Sequence, residues 1–186
     1  MSCSIGLDIS TSCTGWCIVD PEGKLVEMGY IPLSKIDTAY KKASRVRGVL
    51  SELHIRHDIT NVFIEENLQA FRPGLSSAKT LLTLARFNGI VSYIAQEQFF
   101  CTPEFLNVNV ARKLVGLKIV SKKKGGAPTK EQVLEWTNTQ VDYSWPMKTL
   151  KSGPRRGLVI HEPGCYDMAD AYVIALAGSK SRTSGE

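Results

Sequence analysis

The sequence has no apolar run approaching the roughly 18 residues that a membrane span requires. Its start, Met-Ser-Cys-Ser-Ile, lacks the basic opening and apolar stretch of a signal peptide. A soluble, cytoplasmic protein is therefore expected (host cytoplasm, if the chain is phage-encoded). Cysteine is sparse, odd in number and scattered: Cys3, Cys13, Cys17, Cys101 and Cys165. That pattern argues against a disulfide framework. Cys13 and Cys17 have no second matching pair, which argues against a zinc site. Histidine occurs only as His54, His57 and His161, at no catalytic spacing. No internal repeat or low-complexity segment occurs. Acid is also missing locally. No Asp or Glu lies within 105–130, which carries Arg112, Lys113, Lys118, Lys122, Lys123, Lys124 and Lys130. None lies within 143–161, which carries Lys148, Lys151, Arg155 and Arg156. Two acid-free basic stretches suggest a polyanionic partner.

What is present is a globular chain of 186 residues, 43% hydrophobic and 22% charged, with a net charge of +5. That length fits one domain, expected over 1–178, with a polar mobile tail over 179–186. Residues 3–9 read as a strand with Ile5, Leu7 and Ile9 on one face. Residues 16–20 and 25–31 read as two more strands, the first three forming an antiparallel meander. Residues 39–54 have helical spacing, with Ala43, Val46, Val49, Leu50 and Leu53 on a stripe. Residues 61–65 form a strand that follows a helix, so it should pair parallel to the first. A long helix is expected over 76–98. It is apolar around more than one face through Leu81, Leu82, Leu84, Ala85, Ile90, Val91 and Ile94, so it should pack twice, for example on the sheet and on a partner subunit. A last strand over 105–109, a short helix over 110–116, and a basic loop over 121–128 follow. Thr129 and Gln132 have capping-box spacing and open another helix. Residues 141–163 read as irregular, and 167–177 as the final helix. The fold class is α/β with a mixed sheet.

Four acids stand out because each lies in or at the end of an apolar segment, where an unpaired carboxylate is costly. Asp8 follows Cys3-Ser-Ile-Gly-Leu7, and Glu65 ends Val62-Phe-Ile64. Asp167 and Asp170 open an otherwise apolar helix and, three apart, project from one side of it. Asp8 and Glu65 end two strands expected to be parallel, where chemistry gathers in such sheets. Several buried carboxylates call for a positive partner. A pair of divalent cations is the obvious one, since Mg²⁺ prefers oxygen ligands and two such ions can clamp a scissile phosphate. Three of the acids also have a structural reading, while Asp170, inside the helix, is not explained by a cap. Asp167 can cap its helix, Asp8 can bond the turn at 10–14, and Glu65 can pair with a lysine.

At these residues the chain resembles the RuvC-like Holliday junction resolvases of the ribonuclease-H-like superfamily. The motifs are Gly6-Leu-Asp8, Gly15-Trp16, Phe63-Ile-Glu65, the helix containing 77–89, and Asp167-Met-Ala-Asp170-Ala-Tyr-Val-Ile-Ala175. The resemblance implies a ribonuclease-H-like mixed five-stranded sheet flanked by helices. It implies Asp8, Glu65, Asp167 and Asp170 as Mg²⁺ ligands, two ions per site with Mn²⁺ as substitute. Lys130 would stabilise the transition state, with Arg112 or Lys113 matching another basic residue. It further implies a homodimer through helix 76–98 that nicks a four-way junction symmetrically, with other branched DNA as a wider substrate class. Lys118, Lys122, Lys123, Lys124, Arg155 and Arg156 would join Arg112 and Lys113 in binding DNA. The turn Asp8-Ile-Ser-Thr and the long stretch from Lys130 to Asp167 look more like a phage-type branch. Glu66 is an alternative ligand to Glu65. Two other readings stay open: a non-catalytic junction-binding protein, and an actin-like or sugar-kinase-type ATP-binding domain, whose first phosphate loop Gly6-Leu-Asp8-Ile-Ser-Thr-Ser12 resembles.

Overall fold

The computed structural model describes residues 2–66 and 77–183. Three antiparallel strands come first: β1 (Cys3–Ile9), β2 (Cys13–Val19) and β3 (Leu25–Pro32). Helix α1 (Ala39–Arg56) then crosses over to β4 (Ile59–Glu65), which pairs parallel to β1. Helix α2 (Ala78–Phe99) leads to a short β5 (Glu104–Leu106), parallel to β4. The sheet order is β3-β2-β1-β4-β5, the expected mixed five-stranded sheet. Helices α3 (Val108–Leu114), α4 (Thr129–Gln140) and α5 (Gly164–Thr183) follow, with a two-stranded hairpin, β6 (Met147–Thr149) and β7 (Val159–His161), between the last two.

Strand alternation divides the sheet into two faces. Ile5, Leu7 and Ile9 of β1, with Val62 and Ile64 of β4, pack in one core with Val46, Leu50 and Leu53 of α1 and Phe87, Val91 and Ile94 of α2. Phe63 belongs to the other core, with Cys17, Met28 and the residues of α5. Asp8 and Glu65 alternate with the first set, so they point to the α5 side.

Helix α5 approaches that face closely because the sheet is bare there. A Cβ at Gly6 would lie 2.4 Å from the Ala171 carbonyl oxygen, and one at Gly15 would lie 2.0 Å from the Asp167 carbonyl oxygen. Both distances are impossible contacts, so any side chain at Gly6 or Gly15 would lift α5 away. The two glycines of the sequence motifs thus fix the height of the helix that carries Asp167 and Asp170.

Several boundaries differ from expectation. Asn107 caps α3, its side-chain oxygen accepting from the Asn109 N–H at 3.0 Å, so the preceding strand ends at Leu106 and the helix starts at Val108. The expected capping box at Thr129 is absent. Pro128 stands at the N-cap without a side-chain cap bond. The Gln132 amide instead accepts from the Val120 N–H at 2.9 Å and donates to the Val120 and Ala127 carbonyls at 2.9 and 2.6 Å. It satisfies three backbone groups at the two ends of the basic loop, where in a capping box it would satisfy one. The loop itself contains a short 3-10 turn, Lys122–Lys124. The stretch expected to be irregular pairs as β6 and β7. Helix α5 begins three residues before Asp167, which removes a capping role for that acid, and continues to Thr183 through part of the expected tail. Ser76, the expected first residue of the long helix, and tail residues 184–186 lie outside the described residues.

Candidate active site

Asp8 near the end of β1 and Glu65 at the end of β4 are neighbours across the parallel pair, since Leu7 lies opposite Ile64. Asp167 and Asp170 occupy the first two turns of α5. Burial and the charges of Glu65, Asp170 and Asp167 push the Asp8 carboxyl well above its ordinary range, with Arg112 pulling the other way. Glu65 is pushed up to about 7 by burial and by Asp170, again opposed by Arg112. Asp167 and Asp170 are raised mainly by burial. The topology therefore brings the four acids into one electrostatic cluster, in which Asp8 feels the other three, Glu65 feels Asp170, and Asp170 feels Asp167.

Arg112 on α3 is the principal counter-charge. Its Nη2 donates to Asp170 Oδ1 at 3.3 Å, and both side chains are largely buried, at 16% and 19% exposed. Its Nε is buried with no hydrogen-bond partner among the described residues. Lys130, at the start of α4, places its Nζ 4.7 Å from the centre of the Tyr166 ring. The same charge helps to hold down the Asp167 carboxyl. Sequence reasoning left the register between Arg112 and Lys113 open; Arg112 is the one that reaches the carboxylates. Cys13 was missed. Its thiol lies near enough to the Asp167 carboxylate for the two to affect each other's titration, and burial together with that acid raises the thiol's pKa. No sequence signal marks this contact, because it spans the whole chain.

The other basic residues stand apart from the cluster. Lys113 and Lys118 line a small cleft next to Arg112. Lys122, Lys123 and Lys124 are exposed on the 3-10 turn, and Arg155 and Arg156 are exposed in the loop between β6 and β7. His57 pairs with Glu27 at 2.7 Å. His54 packs edge-on against Phe99 and Phe100.

The donor set is all oxygen, which suits a hard cation. As the side chains stand, no group of three or more His, Cys, Asp or Glu among the described residues is set to hold a metal ion. Arg112 is bonded to one of the oxygens such an ion would need. Four acids opposed chiefly by one guanidinium nevertheless leave excess negative charge, which fits a divalent ion.

No protein-family model matches the chain. The crossover junction endodeoxyribonuclease RuvC of Aliarcobacter butzleri (strain RM4018) is 30% identical over 175 residues, 92% of this chain and 94% of that protein. Two structures of Thermus thermophilus RuvC match in fold. The one in complex with a Holliday junction substrate has a TM-score of 0.63 at 16% identity, covering 100% of this chain and 97% of that one. The other has a TM-score of 0.64 at 20% identity, covering 98% and 96%. The yeast mitochondrial Holliday junction resolvase Ydc2 follows at 0.55 and 14% identity, covering 97% and 78%. Among the described residues, no helix is long and apolar enough to cross a membrane. By its likeness to the Aliarcobacter protein along nearly the full length of both chains, this chain belongs to the RuvC family of crossover junction endodeoxyribonucleases.

Proposed function

We propose that the protein is a metal-dependent endonuclease that resolves four-way DNA junctions. The observation that carries this reading is the gathering of four part-buried carboxylates on one face of the sheet in a chain of this family. Asp8, Glu65, Asp167 and Asp170 hold divalent cations, two per site, with Mg²⁺ the natural choice and Mn²⁺ a substitute. Such ions, when bound, polarise the scissile phosphate and activate water. The side chains do the rest. Partial burial where α5 meets the sheet restrains the four carboxylates. Lys130, braced on Tyr166, supplies a fixed positive charge where negative charge grows in the transition state. Arg112, paired with Asp170, balances part of the cluster's negative charge.

Lys113, Lys118, the lysine turn and Arg155 with Arg156 bind DNA phosphates away from the cut. The N-terminal half of α2 supports a homodimer. Leu82 is 68% exposed and Ala85 and Gly89 are exposed, while Phe87, Val91 and Ile94 on the opposite side are buried. A dimer would present two sites to the two strands of a junction, for symmetric nicks. The nuclease domain would span 1–178.

Asp8→Asn tests the assignment. Loss of an outer partner of a metal ligand costs 10–100-fold, so loss of a ligand should cost cleavage at least about 100-fold. Junction binding should be kept or tightened, because less negative charge faces the phosphates. Cleavage near the wild-type rate would sink the role given to Asp8.

A further inference from the structure

The stretch between Lys130 and Asp167 contributes no carboxylate, yet it builds a second concave surface. A cleft of about 470 Å³ lies between α4 and the β6–β7 hairpin. Trp145, Met147 and Tyr166 give it aromatic and apolar walls, and Glu131, Glu135 and Asn138 of α4 give it hydrogen-bond acceptors. Asn138 Oδ1 already accepts from the Trp145 ring N–H at 3.0 Å. His161 also lines the cleft, and its buried Nδ1 has no partner among the described residues.

Two carboxylates in the cleft repel phosphate. Their chemistry suits N–H donors on an uncharged, flat ring packed against the aromatic lining. The hairpin that lines one side has the opposite character beyond the cleft, because the loop joining β6 to β7 carries Lys151, Arg155 and Arg156, all exposed, and no acid. A basic loop on the same hairpin as an acceptor-lined, partly aromatic cleft matches a nucleotide whose phosphates stay outside while its base enters. The cleft also adjoins the reaction centre. Tyr166 forms its wall, touches Lys130 at 4.7 Å, and precedes Asp167 in the chain.

We propose that this cleft receives one unpaired base of the junction next to the scissile phosphate, and that it favours a base carrying an exocyclic amine. The proposal rests on the reading of branched DNA as substrate. Bases beside a strand crossing are less firmly stacked than in duplex, so extruding one costs less there.

The experiment is a cleavage assay with Mg²⁺ on four-way junctions in which a single abasic site is stepped through the nucleotides flanking the cut. Wild-type protein should slow roughly tenfold at one position and little elsewhere, the scale of one lost base–aromatic stack. At that position thymine should be cut more slowly than cytosine or adenine. Glu135→Trp, on an exposed position of α4, would fill the cleft. It should cut the intact junction slowly and lose the positional dependence. A flat abasic profile with normal cleavage would overturn the base pocket and leave the nuclease reading standing, as would an unchanged profile in Glu135→Trp. No junction cleavage by the wild type would overturn both.

Discussion

Helices α5 and α2 are the two longest in the molecule, and both are rich in apolar residues, but they are used differently. In α5, Met168, Ala169 and every residue from Ala171 to Ser179 are buried. It packs on β1, β2, β3 and β4 beneath, with α3 and α4 against it. In α2, only the C-terminal half is buried, and the N-terminal half keeps leucine and alanine in solvent. A helix enclosed on all sides holds its polar groups to a fixed place. Asp167 and Asp170 gain that precision, at the cost of a raised pKa for each. A helix with a free apolar face does no such positioning inside its own chain, and its natural use is to meet a second copy. On the proposed reading, the chemistry is built on the enclosed helix and the assembly on the open one.

Substitutions on the two sides should separate these uses. On the enclosed side, Lys130→Ala should slow cleavage roughly 10²–10³-fold, the scale of removing one fixed transition-state contact. Junction affinity should change far less. A loss confined to affinity would make Lys130 a positioning residue for DNA.

On the open side, Leu82→Arg puts a charge into the proposed dimer face without touching either core. The chain should sediment as a monomer, keep its fold, and nick junctions one strand at a time. A monomeric wild type, or a variant that still sediments as a dimer, would remove α2 from the interface.

The smallest effect sharpens the electrostatic half of the comparison. An acid whose pKa is raised by folding binds its proton more tightly in the folded state, so stability falls as pH rises through the two values. For Glu65 the window runs from 4.5 to about 7. In EDTA the melting temperature should fall by a few degrees across that window, at about 2–4 °C per kcal/mol for a chain of this size. Mg²⁺ should restore it at pH 7 and above. A melting temperature that rises with pH across the window would contradict the mutual repulsion of the four acids.

Much of this arrangement is legible in the sequence. The period-2 pattern of Ile5, Leu7 and Ile9 fixes which way Asp8 points, and the three-residue spacing of Asp167 and Asp170 puts them on one side of a helix. The order of strands and helices gives the mixed sheet. What the sequence hides depends on long-range contact. That Gly6 and Gly15 set the height of α5 is invisible until the helix is laid over them, because a glycine in a strand reads equally as a bulge or a weak point. The Cys13–Asp167 contact and the choice of Arg112 over Lys113 are likewise products of packing. The hairpin at 147–161 escaped notice because strands of three residues carry too little alternation to stand out from their Pro and Gly neighbours.

The proposed use of the acid cluster, to cut branched DNA with a divalent cation, can be checked by incubating the purified protein with a synthetic four-way junction and a matched linear duplex, with Mg²⁺ or with EDTA. Paired, symmetric nicks are expected in the junction alone, and only with Mg²⁺. Tight junction binding with no cleavage in Mg²⁺ would contradict that use and favour a junction-binding protein without catalysis.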